Sequence, residues 1–399
     1  MKLLKLTLGV AVVACCAGLV LPSTSFAQTT SSPSRVSAVS VRFAYGGNAA
    51  EIPATFLGHL ILLPLRINES QPCLFLLDST ASSTSIDPGR AAELGIESGK
   101  SAVLELPGVA LSFPVLPFVP KNGFAEQFGR IYEGTLGRDF FESVVIEIDY
   151  ARKTVRLYDP AVYQYSGTGK SFHTLPGNAA PAVQAKVNAA KTLDGNFIIH
   201  TALDASVRFS DHYEETHHGS FSHLKTIPGP AQTPDGTGNN LGRLRLLEIG
   251  PFPIEGPIAE FAKSDPLLDQ SNSKVMGEIG GGTLKRFIAI FDLAHEQIIL
   301  SPNLEFHDED KADMSGISLI AKGPGLRRFE VTQVRHGTPG SDAGVQKGDV
   351  IEGIDEDPAA DLSLAQIRDL FETIDHPYKL TIDRNGATLT LTLKLRKLI

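Results

Sequence analysis

Cysteine is scarce in this chain of 399 residues. Of the three cysteines, Cys15 and Cys16 lie near the N-terminus, which leaves Cys73 alone in the rest of the sequence. We therefore predict no internal disulfide, because a chain of this length buries enough apolar surface to fold without one. Cys73 opens an apolar segment, so we interpret it as a packing residue and not as a nucleophile.

Clustered positive charge and ligand-binding motifs are also missing. No run of lysine or arginine occurs, and the net charge of −9 argues against nucleic acid as a partner. No glycine-rich phosphate loop follows a strand and opens a helix. One stretch is rich in histidine, but only Glu214 and His218 have the four-residue spacing of a metal site on a helix. The other histidines there are His212, His217 and His223. We predict no metal site and no cofactor.

The N-terminus has the order of a secretory signal peptide. Two lysines precede the apolar run Leu6–Leu21, and Ala27 completes a cleavage site of small residues. This order predicts a signal peptide over residues 1–27 and an exported protein, periplasmic or secreted, with no membrane span in the mature chain. The apolar run is shorter than the ~20 residues of a membrane span. The alternatives are a membrane anchor and a lipoprotein anchored at Cys15.

Short apolar segments, broken by glycine and proline, begin near Val39 and continue along most of the chain. This pattern is typical of strands and predicts a mainly β protein. The residues before the strand pattern, and those around its beginning near Val39, are mostly polar. They predict a flexible segment over residues 28–45.

Helical segments are few. The best-marked one is Ser363–Ile374, where Ser363 and Gln366 have the spacing of a capping box. Shorter helices are expected at Pro88–Leu94 and Asp211–His218.

The sequence contains an internal repeat. Residues 143 positions apart coincide over two segments, at Gly134/Gly277, Gly137/Gly280, Asp149/Asp292, Ala151/Ala294 and Leu157/Leu300. Upstream, Leu74–Thr80 aligns with Asn196–Ala202 at an offset of 122, and in both an apolar strand ends in a polar residue and a hydroxyl. Two copies of one β-unit predict a two-lobed β body with a pseudo-two-fold axis and a cleft between the lobes.

Over residues 50–303 the two halves resemble the retropepsin-like aspartic proteases in their fused, two-lobed bacterial form. Each lobe of that family supplies Asp-Thr/Ser-Gly after an apolar strand, and an apolar-Gly segment that Thr135-Leu136-Gly137 and Glu278-Ile279-Gly280 match here. The resemblance implies a β-barrel body in which two carboxylates share one proton and activate water against a peptide bond. It also implies that the hydroxyl residue after each acid joins the loops of the two lobes.

Both catalytic motifs depart from the family pattern. Lobe one has Asp78-Ser79-Thr80, with a β-branched residue in place of glycine, and lobe two has His200-Thr201-Ala202, with histidine in place of the acid. A carboxylate and an imidazole cannot share a proton as two carboxylates do, and we expect Asp78 and His200 to form a hydrogen-bonded contact. The candidate site residues, with degenerate chemistry, are Asp78, Ser79, His200 and Thr201.

A shifted register is the alternative for the second lobe. Asp204-Ala205-Ser206 also follows a partly apolar stretch, and it would restore an acid opposite Asp78. The hairpin that covers bound peptide in this family is a further difference. Lobe one has little room for it between Leu94 and Leu106, whereas lobe two keeps a glycine-rich segment, Pro234–Gly242, that has the composition of one.

Residues 315–399 resemble a PDZ domain, most specifically over Gly337–Ile351. The family's spacing is kept there by Ala343, Gly344, Gly348, Asp349 and Ile351. PDZ domains bind an extended peptide as an added strand and hold its terminal carboxylate on a loop. The resemblance implies that the peptide lies along Glu330–Val334. The implied binding residues are Leu326, Arg327, Arg328 and Phe329 in the loop and Ile367 and Leu370 on the facing helix. The alternative is a PDZ domain that only packs on the body.

The predicted organisation has six parts: a signal peptide (1–27), a flexible segment (28–45), aspartic-protease-like lobe 1 (46–165), lobe 2 (166–305), an acidic linker (306–314) and an α+β PDZ domain (315–399). Two function classes remain. The sequence favours an exported pseudoenzyme that binds peptides or protein C-termini. The alternative is an active aspartic endopeptidase whose PDZ domain recruits substrate. Position 200 separates them, because the enzyme needs a second acid where the chain has His200.

Overall fold

A computed structural model of the chain describes residues 39–121, 123–175, 180–210, 218–229, 238–263, 265–269 and 275–399. The predicted signal peptide, the alternative anchor at Cys15 and nearly all of the helix predicted at Asp211–His218 lie outside these residues. Within them, no helix has the length and apolar character needed to cross a membrane.

The first half of the body runs from Ser40 to Tyr158. Its strands are β1 (Ser40–Phe43), β2 (Ala49–Ile52), β3 (Thr55–Leu57), β4 (Leu60–Ile67), β5 (Cys73–Leu77), β6 (Ser85–Ile86), β7 (Ala102–Leu106), β8 (Val109–Phe113), β9 (Gly134–Leu136), β10 (Val145–Asp149) and β11 (Thr154–Tyr158). Its helices are α1 (Pro88–Glu93), α2 (Phe124–Phe128) and α3 (Arg138–Ser143). Helix α1 confirms the short helix predicted at Pro88–Leu94. It begins where Asp87 accepts hydrogen bonds from two backbone N–H groups of its first turn.

The second half of the body repeats this plan. Its strands are β12 (Lys170–His173), β13 (Ala182–Asn188), β14 (Thr192–Ile199), β15 (Val207–Ser210), β16 (Thr226–Pro228), β17 (Asn240–Arg243), β18 (Leu246–Ile249), β19 (Phe252–Glu255), β20 (Ile258–Ala262), β21 (Val275–Ile279), β22 (Phe287–Asp292) and β23 (Gln297–Pro302). Its described helices are α4 (His218–Phe221), α5 (Pro266–Asp269) and α6 (Gly281–Leu284). Most of the segment Pro234–Gly242 lies outside the described residues, and its end belongs to β17.

Three sheets build the body. The first half has the order β1-β8-β7-β4-β5-β9-β6 with β3 beside β4, and the second has β16-β17-β20-β15-β21-β14-β13-β18-β19. A third sheet, β12-β23-β22-β10-β11-β2, takes strands from both halves. At its centre β10 and β22 are antiparallel, and Glu147 pairs with Ile290, its own equivalent 143 positions later. The pseudo-two-fold axis predicted from the repeat therefore passes between these two residues.

One apolar core extends through both halves of the body. Phe141 and Phe291, one from each half, meet edge to face with ring centroids 5.3 Å apart. Complete burial of such a ring stabilises the fold by about 1.5–3 kcal/mol. Cys73 lies buried in this core as a free thiol, which agrees with its interpretation as a packing residue.

The C-terminal domain has its own core. Its strands are β24 (Ile317–Lys322), β25 (Arg328–Val334), β26 (Val350–Ile354), β27 (Asp357–Pro358), β28 (Tyr378–Arg384) and β29 (Ala387–Leu393), and its helices are α7 (Pro339–Asp342) and α8 (Leu364–Phe371). The sheet has the order β24-β25-β26-β28-β29, with β27 beside β26. Helix α8 confirms the helix predicted from the capping box, which Ser363 and Gln366 form reciprocally, although it ends at Phe371 and not at Ile374.

The strand order corrects the predicted peptide position. Glu330–Val334 belongs to β25, which pairs with β24 along its length and with β26 at its start. An added peptide strand needs a free edge, and in the described part of this sheet the edge beside β25 is β24. Phe329 and Ile367 were expected to face the peptide. Both are instead fully buried, because their side chains belong to the apolar core of the domain.

Candidate functional site

Asp78 and His200 directly follow two equivalent strands, β5 and β14, that end near the pseudo-two-fold axis. Strand β5 runs parallel to β9, and β14 runs parallel to β21. Directly after these strands, the N–H of Asp78 donates to the carbonyl of Leu136 at 3.0 Å, and the N–H of His200 donates to the carbonyl of Ile279 at 2.9 Å. The repeat therefore places the acid of one half and the imidazole of the other in matching positions.

Ser79 and Thr201 join the two loops reciprocally. Ser79 Oγ donates to the carbonyl of Ile199 at 2.7 Å and accepts from the N–H of Thr201 at 3.1 Å. Thr201 Oγ1 donates to the carbonyl of Leu77 at 2.7 Å and accepts from the N–H of Ser79 at 3.0 Å. Both residues are fully buried, so each lobe satisfies backbone groups of the other.

Thr80 separates Asp78 from His200. Its hydroxyl donates to Asp78 Oδ1 at 2.7 Å, and His200 Nε2 lies 3.1 Å from the same hydroxyl oxygen. Because a carboxylate only accepts, the Thr80 proton is committed to Asp78, and His200 Nε2 must be the donor to Thr80 Oγ1. Our prediction of a direct hydrogen bond between Asp78 and His200 is therefore wrong. Asp78 Oδ1 and His200 Nε2 are 3.6 Å apart, and the Thr80 hydroxyl connects them.

Glu278 holds the other nitrogen of His200. The imidazole Nδ1 lies 2.8 Å from Oε1 of this glutamate, which is fully buried. Burial alone would lower the pKa of His200, but the hydrogen bond and charge of Glu278, together with the charge of Asp78, raise it above its ordinary value. The ring nitrogens of His200 thus face a buried carboxylate on one side and the Thr80 hydroxyl on the other, and these contacts favour the protonated ring.

Sequence analysis quoted Glu278 only within the segment that matches the family and assigned it no role. The repeat nevertheless marks this position. At the offset of 143, Glu278 stands where the first half has Thr135, so one lobe has a buried acid where the other has a hydroxyl. Arg208 lies 3.6 Å from the second oxygen of Glu278 and also pairs with Glu260 and Asp265. The histidine and the buried acid therefore belong to one charge network.

Asp204 is not the second acid of the cleft. Its Oδ1 accepts from the backbone N–H of His59 at 2.8 Å and lies 2.9 Å from Nδ1 of the same residue. His200 is the residue that follows β14 and faces Thr80. These contacts contradict the shifted register, and they assign Asp204 to a different contact between the two halves.

Lys121 and Tyr132 are further polar residues beside Asp78 that sequence analysis did not identify. Lys121 Nζ donates to Thr135 Oγ1 at 2.8 Å and to Ser85 Oγ at 3.1 Å. Burial, with the charge of Asp78 as a smaller contribution, raises the pKa of Tyr132 to about 12. Tyr132 is therefore a neutral phenol at physiological pH.

The residues predicted to bind peptide in the C-terminal domain do not form one surface. Leu326, Arg327 and Arg328 lie in the turn from β24 to β25 and at the start of β25, and Leu370 is half-buried against the core. The free edge is instead flanked by α8, from which Arg368 Nη2 donates to the carbonyl of Leu319 on β24 at 3.2 Å. The groove between β24 and α8 is therefore the candidate peptide site.

A metal site finds no support in the described residues, where no three His, Cys, Asp or Glu side chains are grouped to hold an ion. His223 is exposed. His212, Glu214 and His217 lie outside the described residues, so the structure does not test whether the histidine-rich stretch as a whole binds a metal.

Comparison with known proteins identifies the C-terminal domain. A family model for the PDZ domain matches residues 306–395. A crystal structure of the aspartic proteinase from Irpex lacteus matches with a TM-score of 0.39 and 11% identity, over 64% of this chain and 98% of that one. The crystal structure of the HtrA3 PDZ domain bound to a phage-derived ligand (FGRWV) matches with a TM-score of 0.19 and 20% identity, over 21% of this chain and 83% of that one. No curated protein matches the sequence. The chain thus combines a mainly β, two-lobed body with a C-terminal PDZ domain.

Proposed function

We propose that this protein is an exported peptide-binding protein, in which a PDZ domain recognises peptides or protein C-termini and an aspartic-protease-like body has lost its chemistry. One observation carries the proposal. The Thr80 hydroxyl lies between Asp78 and His200, 2.7 Å from the carboxylate oxygen and 3.1 Å from the imidazole nitrogen. The aspartic mechanism needs a second carboxylate that shares a proton with the first, and a water molecule held by both. Here a histidine replaces the acid, and a side chain fills the space between the two groups.

A peptidase assay tests the loss of chemistry. The chain without residues 1–27 is incubated with an unfolded protein substrate from about pH 3 to about pH 8, the range that spans carboxylate and histidine titration, beside Asp78→Asn. We expect no cleavage that depends on Asp78. Pepstatin-sensitive cleavage that disappears in Asp78→Asn would overturn the proposal and establish the alternative, an aspartic endopeptidase with PDZ-mediated recruitment.

One arrangement favours a second candidate function, hydrolysis by a hydroxyl nucleophile. Thr80 Oγ1, His200 Nε2 and Nδ1, and Glu278 Oε1 follow one another at 3.1 and 2.8 Å, in the order of nucleophile, base and orienting acid. The raised pKa of His200 favours the protonated ring, which is not a base, and the Thr80 hydroxyl donates to Asp78. This chemistry therefore requires a pH above that pKa and a Thr80 hydroxyl that turns its proton from Asp78 to His200 Nε2. Cleavage that increases with pH, persists in Asp78→Asn and disappears in Thr80→Val would support this candidate over peptide binding alone.

Peptide recognition by the PDZ domain is tested by direct binding to the full mature chain. The first probe is the peptide Phe-Gly-Arg-Trp-Val, the ligand of the HtrA3 PDZ structure, and the second is a library of peptides with varied C-termini. We expect binding that requires a free carboxylate, because PDZ domains hold the peptide terminus. Failure of the probe and the whole library would contradict the proposal.

Export is tested separately, by sequencing the N-terminus of the protein recovered from cells. Cleavage after Ala27 predicts a mature chain that begins at Gln28. A lipid-modified chain that begins at Cys15 would replace this prediction with the lipoprotein alternative. Retention of Met1 in the cell interior would contradict export.

A further inference from the structure

The groove between β24 and α8 is occupied by the end of helix α2 from the body. Gly129, which follows α2, lies against Leu364 of α8 and Ala321 of β24. A Cβ added at Gly129 would stand 2.9 Å from Cβ of Leu364 and 3.7 Å from Cβ of Ala321. Two residues earlier, the carbonyl of Gln127 accepts from Arg368 Nη2 of α8 at 2.7 Å. The chain therefore inserts its own segment between the edge strand and the helix, where a PDZ domain takes an added peptide.

Arg368 contacts both the groove wall and the segment that fills the groove. It donates to the carbonyls of Leu319 on β24 and Gln127 on α2, and its guanidinium lies 5.9 Å from the ring centroid of Phe128. In the described part of the chain, no carboxylate lies within ion-pair distance of it. At hydrogen-bond distance the partly buried guanidinium is therefore satisfied by neutral carbonyls, while the charges of Asp204, Asp313 and Glu372 act on it from farther away. A ligand carboxylate in direct contact would make a stronger, charge-assisted hydrogen bond than either carbonyl.

Two cavities adjoin the segment that fills the groove. One, of about 230 Å³, is lined by the start of β24 and by Phe371, and a larger one, of about 890 Å³, is lined by Leu326 and Gln366 beside the groove. Phe128 and Arg368 line both cavities, and so do the charged side chains of Asp204 and Glu372. Helix α2 therefore fills the groove only in part, and a longer ligand with apolar and polar groups would bury surface that α2 leaves open.

The same helix packs beside β5, the strand that ends directly before Asp78. The ring of Phe124 lies 4.4 Å from that of Phe128 and 4.2 Å from that of Tyr132, measured between centroids. These three rings pack against the buried cluster of Leu60, Leu62 and Leu76, and Leu76 lies two residues before Asp78. Removal of α2 from the groove would therefore disturb the aromatic cluster that covers the strand leading into the cleft.

We propose that α2 is an internal competitor for the PDZ groove, and that the ligand that displaces it is a peptide with a free C-terminal carboxylate and a bulky apolar last residue. The carboxylate takes the place of the Gln127 carbonyl on Arg368, and the apolar side chain takes the place of Phe128. Because α2 packs on both sites, ligand binding in the groove is coupled to exposure of the cleft-side cluster. This inference rests on the proposed peptide-binding function.

Two glycine substitutions form a matched test. Gly123 and Gly129 flank α2 and both have positive φ, +78° and +68°, so alanine strains the backbone alike at either position. At Gly129 the new Cβ meets Leu364, whereas at Gly123 nothing lies within 4 Å. In the full mature chain we expect Gly129→Ala to bind the C-terminal peptides about tenfold more tightly than the unchanged chain, because the competitor is expelled. We expect Gly123→Ala to bind like the unchanged chain.

The outcomes of this comparison separate the two claims. If the unchanged chain and Gly129→Ala bind equally, α2 is not a competitor, and the inference fails while peptide binding stands. If none of the three proteins binds any peptide, the proposed function fails and the inference with it. Tighter binding by both glycine variants would assign the effect to helix destabilisation and would also contradict competition at the Leu364 contact.

The role of Arg368 is tested with amidated peptides. In the Gly129→Ala background, we expect C-terminal amidation to weaken binding about tenfold or more, since a charge-assisted hydrogen bond is lost. In Arg368→Gln the same amidation should have little effect. An equal loss in both proteins would show that the carboxylate binds elsewhere and that the assignment of Arg368 is wrong.

Hydrogen exchange in the unchanged chain does not depend on any variant folding. The N–H groups of Gln127 and Gly129 donate within α2 to the carbonyls of Gly123 and Ala125, at 3.2 and 2.8 Å. A saturating concentration of the binding peptide should accelerate exchange at both. Bound peptide with unchanged exchange at these two amides would overturn the displacement of α2.

Discussion

The reciprocal hydroxyl pair at the pseudo-two-fold axis leads to a quantitative prediction about how the lobes are held together. Thr201→Val keeps the shape of the side chain and removes its hydroxyl. The Ser79 N–H and the Leu77 carbonyl, which this hydroxyl satisfies at 3.0 and 2.7 Å, then lose their partner in a fully buried site. The variant therefore isolates the polar contact between the lobes from the packing of the side chain.

The expected cost follows from these two groups. A buried donor or acceptor left unsatisfied costs about 1–3 kcal/mol, so two of them should lower the free energy of unfolding by about 2–6 kcal/mol. At about 2–4 °C per kcal/mol for a domain of roughly this size, the melting temperature should fall by about 4–24 °C. Ser79→Ala breaks the other half of the same network. The double variant should therefore cost less than the sum of the two single variants.

Scanning calorimetry is the suitable assay, because the chain contains no tryptophan and has more than one cooperative core. The PDZ transition then serves as an internal reference that should not move. Thr283→Val is the matched control, since Thr283 is also fully buried but its hydroxyl donates within the second half, to the carbonyl of Ser206 at 2.9 Å. We expect this control to lose about 1 kcal/mol, the contribution of one hydrogen bond.

The reasoning would be refuted if Thr201→Val and Thr283→Val had the same melting temperature. The two hydroxyls would then contribute equally, although only one of them satisfies groups in both lobes. Strict additivity of Ser79→Ala and Thr201→Val would likewise show that the two loops are held independently of each other.

Three further predictions concern single residues. Glu278→Gln removes the charge beside His200, so the pKa of the imidazole should fall, and an unchanged NMR titration would contradict the charge network. Burial, followed by the charge of Asp369, raises the pKa of Glu372 from 4.5 to about 7. The contribution of this group to native stability is therefore highest below the lower value and decreases as pH rises through the upper one. Glu372→Gln should flatten this part of the pH dependence in thermal melts. Gly134→Ala places a Cβ 2.2 Å from the Phe75 ring and should destabilise the body by about 1–3 kcal/mol in denaturant titration; unchanged stability would contradict this close packing.

The sequence alone predicts the body well because its β-unit occurs twice. The offset of 143 aligns Glu147 with Ile290, and these residues pair across the axis in the structure. The capping box at Ser363 likewise depends only on neighbours in sequence. Local hydrogen bonds and repeated strands are visible in a sequence, because their partners lie at fixed spacings.

The remaining features depend on contacts between distant segments. The expectation that a peptide would lie along Glu330–Val334 was wrong because strand order, and not strand position in the sequence, decides which strand has a free edge. The place of α2 beside Leu364 depends on how the body packs against the PDZ domain. No periodicity or motif within Phe124–Phe128 encodes that contact, so sequence analysis did not find it.

The three departures at the cleft, Thr80, His200 and Glu278, form one hydrogen-bonded network. Among the described residues, the second oxygen of Glu278 has no hydrogen-bond partner, and Arg208 lies 3.6 Å from it. With glycine in place of Thr80, Asp78 and His200 would lose the hydroxyl that connects them. With a threonine at position 278, as in the repeat, the imidazole would lose its buried carboxylate partner. A partly satisfied polar network is costly in a protein interior, so the loss of one member should raise the cost of keeping the others buried. The hydroxyl, the imidazole and the buried acid therefore depend on one another, and the effects of changing two of them together should not be additive.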